Sequence, residues 1–307
     1  MNREEKESVL FIGVGRMGNP MARRLHQAGV RLAVADISEA ALAPFKELGV
    51  PVSRFPDELE GTIVITMLPT DAEVREAMLG NRGAVRGFKR EVLIDMSSSA
   101  PSATRSLARE LAEMGIAMLD SPVSGGVPRA KTGELSAMVG GDSETFARCK
   151  GLLAHMCSSI RHVGPIGAGD TMKALNNYLS AVAMWASCEA LLIGARAGLD
   201  PETMVEVWKT GTARSHAVEV KIPKAVLPRS FDYGFTVGLM AKDLTIAARL
   251  ARSMDVPAPM LTATEEHMLF ARDALGAEAD LTAVITLLER WAGFELPAAG
   301  GEPQTKK

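Results

Sequence analysis

The sequence predicts an α/β fold: a doubly wound, mainly parallel sheet, followed by an all-α half built on one long inter-domain helix. Three observations carry this. An apolar run passes through a glycine turn into a helical stretch over residues 9–28. Strand-like and helix-like segments then alternate as far as residue 120, the pattern that parallel sheets with helical crossovers produce. Beyond residue 166 the apolar positions recur at three- and four-residue spacing, with no convincing strand.

Val9–Ile12 is the first expected strand. It runs into Gly13-Val14-Gly15-Arg16-Met17-Gly18, and Asn19–Ala28 follows with helical spacing. Strand, G-x-G-x-x-G and helix, in that order, turn a weak glycine pattern into a dinucleotide-binding signal, so the first half reads as a Rossmann domain. Gly13 permits the tight turn, Gly15 lets a pyrophosphate approach the backbone, and Gly18 lets helix and strand pack closely. The helix N-terminus offers free N–H groups to the phosphates. A second strand, Arg31–Ala35, ends at Asp36, 18 residues after Gly18. An acid there accepts the ribose hydroxyls of an adenosine and repels a 2′-phosphate. No arginine follows in Ile37-Ser38-Glu39, so NAD is expected rather than NADP.

The alternation continues. Ala40–Leu48 is helical, and Thr62–Leu68 is a buried strand ending at Pro69. Asp71–Leu79 is helical, and Val92–Asp95 is a strand leading into Met96-Ser97-Ser98-Ser99. Pro101–Met114 is helical, and Ile116–Asp120 is a strand. In such sheets ligands sit beyond the C-terminal ends of the strands. Leu68-Pro69-Thr70, Ser97-Ser98 and Ser121–Gly126 all lie there, although each alone reads as plain loop chemistry. In Asp120-Ser121-Pro122-Val123-Ser124-Gly125-Gly126 the paired glycines expose backbone N–H groups, a small nest suited to a carboxylate, and Ser124 adds a hydroxyl.

Gly167–Gly198 is the longest helical stretch, roughly 40–45 Å if fully wound. Asp170 and Thr171 sit in its first turn, where acceptor side chains satisfy free N–H groups, and Gly198 and Pro201 stop it. Lys173 and Asn177 are four apart and share one face, with Asn176 beside them. A lysine one turn from the positive end of a helix dipole tends towards a lowered pKa, which suits a proton acceptor near neutral pH. Alone, these residues would read as a solvated lysine and two surface amides.

The 307 residues allow two domains, and 47% hydrophobic with 23% charged residues is ordinary for a globular chain. A net charge of −3 gives no reason to expect nucleic acid or an anionic membrane surface as a partner. Cys149, Cys157 and Cys188 lack metal-ligand spacing and read as buried thiols of a reducing compartment, so no metal is expected. The first residues lack the apolar core of a signal peptide, and no run approaches the ~20 apolar residues of a membrane span. A cytoplasmic protein is the expectation. The expected division is residues 1–165 for the cofactor, 166–296 as a helical substrate and dimerisation domain giving a homodimer or homotetramer, and a disordered tail over 297–307.

Taken together, four stretches resemble the β-hydroxyacid dehydrogenase family, the relatives of 3-hydroxyisobutyrate dehydrogenase and tartronate semialdehyde reductase. Gly13–Leu25 resembles its cofactor motif, Asp120–Gly126 its substrate motif, Gly167–Asn177 its catalytic motif, and Lys242-Asp243-Leu244, after Phe231–Phe235, its cofactor-closing motif. The resemblance implies a reversible hydride transfer between NAD and a small 3-hydroxy acid. It implies that Lys173 is the general acid/base, that Ser124, Gly125 and Gly126 hold the carboxylate, and that Asn177 orients substrate. Leu68, Pro69 and Ser98 would line the nicotinamide half of the cofactor, and Lys242 would lie near its ribose. The loop Gly211–Lys221 departs from the family's better-characterised members; Arg214 and His216 there read either as substrate contacts or as surface residues. An imine reductase of the same fold typically lacks the lysine, and a non-catalytic NAD-binding protein would not need it.

Overall fold

The computed structural model describes residues 8–296; the first seven residues and the tail expected to be disordered over 297–307 lie outside them. The chain divides into two compact units, one up to Lys173 and one from Ala174 onward.

The first unit is a nine-stranded sheet. Its parallel part has the order β3-β2-β1-β4-β5-β6, with β1 at Ser8–Ile12, β2 at Arg31–Ala35, β3 at Val52–Ser53, β4 at Ile63–Thr66, β5 at Val92–Asp95 and β6 at Ala117–Asp120. The connecting helices are α1 (Gly18–Gln27), α2 (Glu39–Lys46), α3 (Asp71–Leu79) and α4 (Pro101–Glu113). Successive residues of β1 face opposite sides: Val9 and Phe11 enter one core with Met21 and Leu25, Leu10 and Ile12 another with Val74 and Leu107. Burial on both faces is why these strands read as unbroken apolar runs. The register pairs Val9 with Leu32 on one side and with Ile63 on the other.

The sheet continues through segments with no strand signal in the sequence analysis. β7 (Val123–Ser124) and β6 both pair antiparallel with β8 (Leu135–Gly140), and β9 (Cys157–Gly164) runs parallel to β8. Between them lie α5 (Gly126–Thr132) and α6 (Ser143–Leu153). β9, CSSIRHVG, is an edge strand paired on one side and largely wet, so it carries neither alternation nor an apolar run.

Helix α7 (Ala168–Arg196) is 29 residues long. By length and composition it could cross a membrane, with a mean hydropathy of 1.4 over its most apolar window, although no run in it is unbroken. Its buried positions Ala174, Ala181, Met184, Trp185, Cys188, Leu191 and Ala195 instead form one helical stripe within the core of the second unit. That unit adds α8 (Pro201–Thr210), α9 (Val237–Ser253), α10 (Pro259–Leu275) and α11 (Ile285–Ala292).

The stretch Gly211–Lys221, read as a loop, ceases to be one at His216. Ala217–Val226 is π-helical. Pro223 explains this: it has no N–H to donate and its ring crowds the carbonyl four residues back. A wider winding relieves both, and the Leu227 N–H reaches the Ile222 carbonyl, five residues back, at 3.0 Å.

Candidate functional site

In the first unit, the glycine turn is built as its spacing predicts. Gly13 has a φ of +91°, and a Cβ on it would sit 2.5 Å from the Met67 carbonyl oxygen. A Cβ on Gly18 would collide with the Gly13 carbonyl, so α1 starts pressed against the end of β1. Gly15 is the opposite case: a Cβ there would meet nothing within 4 Å. No protein packing demands glycine at this position, and the open backbone beside it fits an approaching pyrophosphate. Val14 is buried, Arg16 is exposed, and Met17 precedes the first turn of α1.

Asp36 ties this turn to the end of β2. One carboxylate oxygen accepts from the Val14 N–H and the other from the Ser38 N–H, each at 2.8 Å. Each oxygen keeps a lone pair for a ribose hydroxyl. One neighbour escaped the sequence reading. The Arg54 Nε donates to the Ile37 carbonyl at 3.1 Å, so a cation does reach the stretch after Asp36 that looked free of arginine. It comes from beyond β3, two residues long and without a pattern to betray it.

The loop after β4 is pinned by the serine cluster: the Leu68 N–H donates to Ser97 Oγ at 2.9 Å. Ser97 and Ser99 are buried and occupied with structure, while Ser98 and Leu68 are half-buried and Pro69 is exposed.

The ends of β6 and β7 meet the start of α7. Lys173 is only 8% exposed. Its Nζ donates to the Val123 carbonyl at 2.8 Å and lies 3.3 Å from Ser124 Oγ. Ser124 leads directly into Gly125 and Gly126, both exposed and both at positive φ (+132° and +65°), which turn the backbone into α5. The proposed proton-transfer group and the proposed carboxylate segment, 49 residues apart in sequence, are therefore side by side.

Three buried acids hold this junction together. Asp120 accepts from the Gly167 and Asp170 N–H groups at 2.7 and 2.8 Å, capping α7 from the end of β6. Asp170 accepts from the Ser99 N–H at 3.1 Å and from the Thr104 hydroxyl at 2.6 Å. Asp95 accepts from the hydroxyls of Thr66 and Ser99 at 2.8 and 2.9 Å. Burial pushes the Asp120 carboxyl up, while burial and the facing charges of Asp95 and Asp120 push that of Asp170 well above the ordinary carboxylate range. This corrects the expectation that Asp170 and Thr171 cap their own first turn. Asp170 points away to Ser99 and Thr104, and the Thr171 hydroxyl donates back to the Gly167 carbonyl at 2.8 Å. Free N–H groups donate to any suitably placed oxygen, and here those of Gly167 and Asp170 find the Asp120 carboxylate.

In the second unit, Asn177 Nδ2 donates to Asp243 Oδ2 at 2.5 Å, and its carbonyl accepts from Asn176 at 3.1 Å. The other Asp243 oxygen faces the Lys242 ammonium at 3.4 Å. Asn177 and Lys242 are thus joined through Asp243, which the sequence reading quoted in a motif but gave no role. Arg214 is exposed and paired with Glu219 at 2.8 Å, which favours the surface reading for it. His216 meets the edge of the Tyr233 ring at 5.9 Å. All three cysteines are buried, and burial pushes the Cys157 thiol up to about 12.

With this geometry in view, likeness to known proteins becomes informative. Residues 8–164 match the family model for the NAD binding domain of 6-phosphogluconate dehydrogenase. Residues 167–288 match the model described as NAD-binding of NADP-dependent 3-hydroxyisobutyrate dehydrogenase. The chain is 36% identical to 2-(hydroxymethyl)glutarate dehydrogenase of Eubacterium barkeri, over 97% of this chain and 100% of that protein. It is 37% identical to 3-hydroxyisobutyrate dehydrogenase of Pseudomonas aeruginosa, over 82% of this chain and 88% of the relative. Among solved structures, Mycobacterium tuberculosis 3-hydroxyisobutyrate dehydrogenase with L-serine superposes with a TM-score of 0.85 at 31% identity, covering 92% of this chain and 99% of that one.

Proposed function

The chain belongs to the β-hydroxyacid dehydrogenase family, the 3-hydroxyisobutyrate dehydrogenase-like group of NAD(P)-dependent oxidoreductases, and we propose that it interconverts a small 3-hydroxy acid and its semialdehyde or keto acid, with Lys173 as the general acid/base. The observation that carries this reading is the meeting of Lys173 with Ser124 at 3.3 Å. A lysine from one motif and the anion-binding turn from another lie side by side, as a 3-hydroxy acid needs, with its carboxylate carbon two bonds from its carbinol carbon.

When bound, a nicotinamide supplies the hydride acceptor or donor. The chain's own residues do the rest. Ser124 and the Gly125 and Gly126 amides hold the substrate carboxylate. Lys173 takes the hydroxyl proton on oxidation and returns one to the carbonyl oxygen on reduction. Asn177, fixed by Asp243, orients the reacting carbon. Asp36 supports a preference for NAD over NADP, because a 2′-phosphate would face its carboxylate. The buried thiols support a reducing compartment such as the cytoplasm. Assembly as a homodimer or homotetramer through the helical half belongs to the same reading.

The test is turnover of NADH with a panel of short semialdehydes, and of NAD with the matching hydroxy acids. Lys173→Ala should lower kcat by ~10²–10⁴-fold while cofactor Kd, read by fluorescence, stays near wild type. Lys173→Arg should not rescue, since a guanidinium does not release its proton near neutral pH. Wild-type turnover in Lys173→Ala would overturn the reading. A parallel collapse of cofactor affinity would make Lys173 structural.

A further inference from the structure

Lys173 has two demands on its charge. To take a proton on oxidation it must be neutral, so in that direction it cannot also neutralise the substrate carboxylate. Ser124 and the backbone amides beside it supply dipoles only. A permanent cation lies one helical turn further on, within the same unit. Arg129 belongs to α5 and is exposed. A Cβ on Gly125 would sit 2.9 Å from both the Cβ and the Cδ of Arg129, so the arginine's methylenes fold over the bare glycine. Its backbone is fixed there: its carbonyl accepts from the Thr132 hydroxyl at 3.2 Å and from the Glu134 N–H at 2.9 Å. Glu134, the acid nearest to it in sequence, accepts from the Thr132 hydroxyl at 2.7 Å. No hydrogen bond or ion pair engages the Arg129 guanidinium among the described residues.

We infer that Arg129 is a binding residue for the substrate carboxylate, closing over the Gly125–Gly126 turn from its exposed side and supplying the fixed positive charge that Lys173 gives up. This rests on the reading of Lys173 as the proton-transfer group and of Ser124, Gly125 and Gly126 as the carboxylate segment. A guanidinium stays charged at every pH the fold survives, and its paired N–H donors match the two oxygens of a carboxylate. An exposed arginine on a helix is ordinarily a solvated charge of little energetic weight. This one differs in that its stem is laid along the anion-binding turn, and its charged carbon comes only two bonds after the Cδ that covers Gly125. The bare glycine at 125 therefore makes room for the arginine as well as for the turn. The site would then discriminate an ionised acid from its neutral amide in both directions, and most strongly in oxidation.

The experiment measures KM for a hydroxy acid and for its semialdehyde or keto acid in wild type, Arg129→Met and Arg129→Lys. Arg129→Met keeps an unbranched stem over Gly125. It should raise KM about 5- to 20-fold in oxidation and by less in reduction, where the Lys173 ammonium still faces the carboxylate, while kcat moves less than KM. Arg129→Lys should restore part of the loss. Added salt should raise the wild-type KM and leave that of Arg129→Met flatter, since an exposed charge is screened. Propionate and propionamide give a readout without turnover: propionate should raise the Tm of wild type more than that of Arg129→Met, and propionamide should affect both alike. An unchanged KM, an equal rise in both directions, or a loss of NADH affinity with propionate protection intact would overturn the inference while leaving the dehydrogenase reading in place. Propionate protection that depends on Arg129, with no turnover of any hydroxy acid, would do the reverse.

Discussion

Asp36 and Ser124 show how much a single side chain decides. The two backbone bonds to Asp36 fix its carboxylate before any ligand arrives, so little ordering cost remains when a ribose docks. Wild type should therefore favour NADH over NADPH in kcat/KM by ~10- to 100-fold, and Asp36→Ala should shrink that ratio about tenfold. A ratio unmoved by the substitution would mean that the acid does not face the ribose. Arg54 works against it: Arg54→Ala should weaken NADPH more than NADH, and an equal effect on both would exclude a contact with the 2′-phosphate. Ser124→Ala should raise KM about 5- to 30-fold with little change in kcat, the loss of one ground-state hydrogen bond. Lys173 keeps its 2.8 Å bond to the Val123 carbonyl in that variant, so the proton-transfer group stays in place. If KM is unchanged for every acid tested, the carboxylate sits elsewhere. The places of Lys173, Ser124 and Asp36 were legible because each sits in a local pattern with a mechanism. Those of Asp243 and Arg54 were not, because each meets a partner elsewhere along the chain, such as Asn177 for Asp243, 66 residues away.

Among the elements, the N-terminal end of α7 has an unusual attachment. Its first free N–H groups are taken by Asp120, and its own Asp170 reaches Ser99 and Thr104, so the helix is fastened to the ends of β5, β6 and α4 by carboxylates. The raised pKa values of Asp120 and Asp170 set the sign of the pH dependence. Folding holds their protons more tightly than the unfolded chain does, with its carboxyls near ~4. The stability this contributes is complete below that value and is lost as pH rises through the elevated native values. Asp170→Asn imitates the protonated acid and keeps an acceptor for the Ser99 N–H. Urea midpoints measured from pH 4 to 9 should fall towards high pH in wild type and stay flatter in the variant, which becomes the more stable of the two at the alkaline end. Parallel profiles would mean that Asp170 titrates as it does in the unfolded chain. The existence of α7 was plain from its periodicity, but its fastening was not. Asp120 carries no sign in sequence that it will cap a helix 47 residues away. For the same reason β8 and β9 went unread: β8 (LSAMVG), with small and polar residues among its apolar ones, and the wet edge strand β9 are specified by their neighbours rather than by a pattern of their own.

At the scale of the whole molecule, α7 leaves one edge uncovered. Met172, Leu175, Leu179, Val182, Ala186 and Ile193 fall on a seven-residue repeat, the a and d positions of a seam, and Leu179 and Ile193 are 66% and 71% exposed. The buried stripe of the helix belongs to the core of the second unit, whereas this edge stays largely exposed among the described residues. We propose that it packs against a second copy of the helical half, giving a homodimer or a dimer of dimers. Magnitudes decide how the test is built. Burying four large apolar side chains on each copy, each already about half covered, yields ~1 kcal/mol apiece, set against an association cost of ~4–15 kcal/mol. The seam is therefore marginal rather than lavish. One charge placed in the middle of the seam should then suffice to undo it. Light scattering on wild type at micromolar concentration should return a dimer or tetramer, and Leu179→Glu should return a monomer whose circular dichroism is unchanged, because that side chain is 66% exposed. Leu179→Ala should weaken assembly without abolishing it. A monomeric wild type would defeat the proposal outright. An assembly indifferent to Leu179→Glu would move the interface away from α7.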